Sequence, residues 1–109
     1  MKYQHQNLSS GKWFKLDFRE QMANIGSEIE RTIIWQRKNQ AYSQKAFERG
    51  LELLDLTIAD PKNIKRLKEL LRLREVLADY FVFDNIYHSK SKDFKKYFYS
   101  FNYAARINY

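Results

Sequence analysis

NIKRLKELLRLREVLADYFVF, residues 63–83, is the stretch whose reading decides the fold. At 100° per residue, Leu67, Leu70, Leu71, Leu73, Leu77, Ala78, Tyr80 and Phe81 gather on one wide face of a helix. Lys65, Lys68, Glu69, Arg72, Glu75 and Asp79 occupy most of the other face. An apolar arc that wide meets two neighbours rather than one, so the pattern predicts a central helix of a bundle. Arg74 breaks the pattern, falling among the directions of Leu70, Phe81 and Leu67.

Working outward, Asp60-Pro61 opens this helix, because aspartate caps a helix and proline suits its first position. Upstream, Phe47, Leu51, Leu54 and Ile58 mark the core line of a helix over about 40–59, capped by Asn39, with Leu56 pointing away from that line. Before it, Phe18, Met22, Ile25, Ile29 and Ile33 recur at helical spacing, which predicts a helix over about 18–37. Asp17 and Glu20 have the spacing of a capping box. Gly26 lies beside that stripe and costs about 1 kcal/mol relative to alanine in a helix interior, which a closely approaching neighbour would explain. Ile34 and Trp35 lie off the stripe and either touch the C-terminal segment or form an exposed patch. Residues 1–16 read as a short arm whose Trp13 and Phe14 fold back as a lid.

Downstream, Asp84-Asn85 makes a turn and an exposed polar loop follows over 86–93. Ser91 is a cap for a last helix over about 92–107, with Phe94, Tyr97 or Phe98, and Phe101 on its inward line. Three glycines and one proline leave little room for β-turns. The expected fold is therefore all-α: one domain, residues 1–109, built as an antiparallel four-helix bundle with a short N-terminal arm and helices over about 18–37, 40–59, 62–83 and 92–107.

The 109 residues contain no cysteine and two distant histidines, His5 and His88, so neither a disulfide nor a metal site is expected. The first residues carry no apolar leader and no run is long enough to span a membrane, so the expected location is cytoplasmic. Twenty Lys and Arg against thirteen Asp and Glu give a net charge of +7 and a pI near 9.6, a balance that favours polyanionic partners. Many small basic domains bind nothing in particular, and incidental basicity is the competing reading.

Three signals bear on function. An inward arginine cannot shed its proton, so Arg74 needs a carboxylate, and Glu28, Glu30 and Asp55 are the candidates for a buried ion pair. On that reading Arg74→Ala costs about 3–5 kcal/mol; a ligand-binding arginine in a small polar pocket is the alternative. Second, Lys62, Lys65, Arg66, Lys68 and Arg72 crowd the start of the third helix, where positive charge opposes the helix dipole unless an anion sits there. Phosphate contact is one explanation; neutralisation by Asp60, Glu69 and the preceding helix's last carbonyls is the other. Third, KSKDFKKYFYSFNY, residues 90–103, interleaves Lys90, Lys92, Lys95 and Lys96 with aromatic rings. Cations track phosphates and exposed rings stack on unpaired bases. Phe94, Phe98 and Phe101 have core spacing, which leaves Tyr99 and Tyr103 as the stacking platforms. No phosphate-binding glycine loop, nucleophile elbow, HExxH or Glu-x-x-His pair is present, and neither histidine follows an arginine at the spacing of HEPN-type RNases. No enzyme activity and no cofactor are expected.

The blocks EQMANIGSEIERTIIW, KAFERGLELLDLTIADPK, RLKELLRLREVLADYF and KYFYSFNYAAR resemble an uncharacterised family of roughly hundred-residue prokaryotic all-helical proteins, over about residues 11 to 106. More distantly, the plan is similar to the four-helix-bundle accessory proteins of diversity-generating retroelements and to ribosomal-intervening-sequence proteins. That likeness implies oligomerisation and binding of a reverse transcriptase and nucleic acid; it carries no catalytic residue. The expected function is a non-catalytic, RNA-leaning nucleic-acid-binding accessory protein of a larger assembly. Lys62, Lys65, Arg66, Lys68 and Arg72 would form one phosphate patch, and Lys92, Lys95 and Lys96 with Tyr99 and Tyr103 the second. The competing class is a protein–protein adaptor or homo-oligomer using Trp35, Leu56 and surface tyrosines.

Overall fold

The computed structural model describes residues 10–107, with side chains over 11–103. These residues form five α-helices and one 3-10 segment, with no strand among them. In order they are α1 (Ser10–Trp13), α2 (Phe18–Trp35), α3 (Gln40–Ala59), the 3-10 segment Pro61–Arg66, α4 (Leu67–Phe81) and α5 (Ser91–Ile107). Among the described residues no helix is long and apolar enough to cross a membrane.

The capping box at α2 forms as its spacing predicts: the Glu20 backbone N–H donates to Asp17 Oδ1 at 2.8 Å, and the Asp17 N–H donates to Glu20 Oε1 at 3.3 Å. Asn39 caps α3 by accepting from the Tyr42 N–H. The central element is α2, packed extensively against α3 on one side and α5 on the other. Met22, Ile25 and Ile29 are all but fully buried between them. Both interfaces come close at a glycine, the one with α5 more so. A Cβ on Gly26 would stand 2.8 Å from Phe98 Cβ of α5. One on Gly50 of α3 would stand 3.2 Å from Ile29 Cδ1 of α2.

The helix expected at the centre is instead peripheral. Leu70, Leu73 and Leu77 of α4 are buried, but Leu71 is about half exposed at 49%. The reason is Arg74. Its guanidinium keeps part of its hydration only if the Leu71–Arg74–Ala78 flank rolls to the surface, which narrows the buried arc to one side. The start of this helix also differs from expectation. Pro61–Arg66 winds as a 3-10 helix because Asp60 accepts from the Lys62 N–H, and the Asn63 side chain is held inside by Gln21 Oε1 and Thr57 O.

Asn63 belongs to a buried polar cluster that closes one end of the molecule. Gln21 Nε2 donates to Trp13 O and to Asp60 Oδ2, and Trp13 Nε1 donates to Thr57 Oγ1 at 2.9 Å. Thr57 in turn donates to Leu53 O. Trp13, Gln21 and Thr57 are all fully buried, so Trp13 is core rather than a lid. Most of the arm lies outside the described residues; its last turn, α1, is helical.

One further correction and two details concern packing. Leu56 is 5% exposed and belongs to the core rather than to an outward patch. α2 stops at Trp35, and Trp35 meets Tyr42 edge-on across the turn at 5.4 Å, with Ile34 exposed beside it. The expected exposed loop after α4 is held by hydrogen bonds. Asp79, 6% exposed, accepts from the N–H groups of Ile86 and Tyr87, and Asn85 both accepts from Ser89 N and donates to Ser89 O. Asn85 and His88 take left-handed φ values of 53° and 54°, the conformation such a tight return needs.

Candidate nucleic-acid interface

Two stripes interleave along α5. Phe94 and Phe98 are buried, with Tyr97 and Phe101 half-buried beside them. Lys92, Lys95, Lys96, Tyr99 and Tyr103 are all exposed and share an arc of about 100° on the opposite face. The Tyr99 and Tyr103 rings stack with centroids 6.4 Å apart and planes 24° apart, and both stand well out in solvent. Among the described residues none of the three lysines has a carboxylate within ion-pair distance. The helix thus presents three free ammonium groups and a paired aromatic surface. Ammonium groups can neutralise phosphates and tyrosine faces can stack on unpaired bases. The inward ring Tyr97 donates its hydroxyl to Glu69 Oε1, and burial, with that carboxylate's charge, raises its pKa well above the ordinary value. It stays an un-ionised donor linking α5 to α4.

The basic group at the start of α4 is differently placed. Lys62 Nζ is held by the Asp60 carboxylate and donates to Phe14 O at 2.9 Å. Burial alone would raise the Asp60 carboxyl, but hydrogen bonds from Lys62 and Gln21 outweigh it and hold the group below its usual range. Asp60 also takes the first N–H of the 3-10 turn, so the donors an anion would need are already used. Neutralisation by Asp60, rather than phosphate, accounts for Lys62. Arg66 lies over the Phe18 ring at 4.3 Å, and Arg72 lies over the Tyr87 ring at 4.4 Å with Glu75 3.9 Å away. Lys65 and Lys68 are exposed. Phe18 meets Phe101 on the inward side of α5, so Arg66 lies on the side of α5 away from the outward lysines. The two expected patches are not one surface.

The expected buried ion pair also resolves differently. Arg74 Nε donates to Asp55 Oδ1 at 2.7 Å, but the side chains are 41% and 42% exposed. This hydrogen bond raises the Arg74 pKa further above its ordinary value. Of the three candidate carboxylates Glu28 is the buried one, and it pairs with Arg31 at 2.7 Å and Arg49 at 2.9 Å. Glu30 is exposed and makes neither pair. Sequence patterning could have found the buried acid: Gln21, Glu28 and Thr32 run at helical spacing inside the apolar face of α2, so their polar groups had to find partners.

Groups of three or more residues able to hold a metal are absent among the described residues. Compared with protein-family models, curated proteins and solved structures, the chain matches none.

Proposed function

We propose that this protein is a non-catalytic, RNA-leaning nucleic-acid-binding accessory subunit of a larger assembly, such as a retroelement reverse-transcriptase ribonucleoprotein, in the cytoplasm. Its four long helices, α2 to α5, serve as an antiparallel bundle that holds α5 rigid. The observation that carries the reading is the outward face of α5, where unpaired lysines flank stacked, exposed tyrosines. Lys65 and Lys68 add charge on a separate face. Single-stranded RNA suits this surface better than duplex DNA, because stacking on tyrosine needs unpaired bases.

The test is fluorescence anisotropy of labelled U12 RNA and of a random duplex DNA across a potassium chloride series. Binding through three lysines should weaken with a log–log slope of about −2 for the single strand. The K92E/K95E/K96E variant should lose most of the affinity. An unchanged affinity in that variant overturns this surface.

A second reading, a protein–protein adaptor, rests on the loop after α4. Val82, Phe83 and Ile86 are 58%, 72% and 68% exposed on backbone that Asp79 and Asn85 hold in place. Phe83 and Ile86, with Leu71 and Arg74, border a groove of about 520 Å³. Exposed apolar side chains on pre-ordered backbone are what a protein interface uses. Association through this groove should respond little to salt and should fail in F83E/I86E.

A further inference from the structure

The cleft between α2 and α5 adjoins the outward face of α5, and its chemistry is more selective than that of the lysines. Its floor is apolar, formed by Ile29, Ile33 and Phe98, and Gly26 lets the two helices close beneath it. Its volume, about 280 Å³, lies just below the ~300–1,000 Å³ range of small-molecule sites and suits one planar ring system. Lys95, Tyr99 and Asn102, at helical spacing, form the α5 lip, and Glu30 faces them from α2. Glu30 and Lys95 line one cleft without approaching within ion-pair distance, and neither Glu30 nor Asn102 has a hydrogen-bond partner among the described residues. An acid here opposes the attraction of the neighbouring lysines for a phosphate backbone. It makes chemical sense as a reader of hydrogen-bond donors.

We infer that this cleft is a guanine-selective base pocket that takes an unpaired guanine from an RNA strand tracked by the α5 lysines. A carboxylate only accepts, and ideally accepts twice from adjacent donors. Guanine alone of the four bases offers such a pair, N1–H beside the N2 amino group. Adenine and cytosine set a ring-nitrogen acceptor beside their amino group, and uracil flanks N3–H with two carbonyls. Both arrangements point a lone pair at the acid. The Asn102 amide can donate to guanine O6, Tyr99 can cover the ring at the lip, and Lys95 can hold the adjoining phosphate. The lysines supply affinity and Glu30 supplies choice.

This inference rests on the nucleic-acid reading above, and one experiment separates the two. Anisotropy titrations at fixed salt compare U12 with the same strand carrying a single central guanine, adenine, cytosine or inosine. The guanine strand should bind about tenfold tighter than U12, as expected for a well-formed bidentate contact. Inosine, which lacks the N2 amino group, should lose most of that gain. Glu30→Gln, with a circular dichroism spectrum to confirm folding, should abolish the guanine preference and leave U12 affinity equal or higher. Equal binding of guanine and adenine strands overturns the pocket, as does a preference that persists in Glu30→Gln. If U12 binds in a salt-dependent way without base preference, only this inference fails. If no strand binds, the nucleic-acid reading fails with it.

Discussion

Gly26→Ala and Gly50→Ala make the same chemical change at two helix-interior sites, yet the structure requires different outcomes. Each gains about 1 kcal/mol of helix propensity. At Gly50 the new methyl meets Ile29 Cδ1 at 3.2 Å, the far end of a flexible side chain that can swing by a few tenths of an ångström. The gain and the small repacking cost roughly cancel, so Gly50→Ala should lie within about 0.5 kcal/mol of the parent. At Gly26 the methyl meets Phe98 Cβ at 2.8 Å and Phe98 Cγ at 3.0 Å. A Cβ cannot move without its backbone, so α2 and α5 must separate. Overpacking of this kind costs about 1–3 kcal/mol, and its upper end applies, leaving a net loss of about 1–2 kcal/mol. For a chain of this size that lowers the melting temperature by roughly 4–15 °C. Thermal and urea unfolding followed by helical circular dichroism measure both variants. Equal stability in the two would refute the close contact between α2 and α5, and with it the packing that shapes the cleft beside Glu30.

Two other outcomes follow from the ion pairs and the buried cluster. Arg74→Ala should cost no more than about 1 kcal/mol in urea unfolding, because the pair with Asp55 is half exposed, whereas Glu28→Ala removes a buried carboxylate and the partner of the less exposed Arg49, so it should cost more; the reverse order would refute the assignment. Asp60 has its folded pKa held below the ordinary 3.8, so it adds stability above about pH 4 that is lost as pH falls through the folded value. In Asp60→Asn the loss of stability between about pH 4 and pH 2 should be shallower than in the parent, as read from urea midpoints at each pH.

Sequence periodicity was sufficient wherever a side chain's environment depends only on its neighbours along one helix. The capping box at Asp17, the cap at Asn39, the special place of Gly26 and the split of α5 into an inward phenylalanine line and an outward lysine–tyrosine line all follow from spacing. Periodicity failed at Leu71 and Leu56, because the width of an apolar arc does not say how a helix is rolled or how many neighbours it has. It also failed at Arg74. The sequence demanded a carboxylate and named Asp55 among three, but only the packing of α3 on α4 brought those two groups together, and it left them in solvent.

By itself, then, the chain of residues determined an all-helical protein and a last helix with a basic aromatic outer face. These are short-range properties, set by hydrogen bonding and side-chain direction within four residues. The tertiary structure decided that α2 rather than α4 is central, that Lys62 is spent on Asp60, and that Glu30 and Asn102 share one cleft. Each depends on residues far apart in sequence meeting in space, and no local pattern encodes which distant partner a charge will reach.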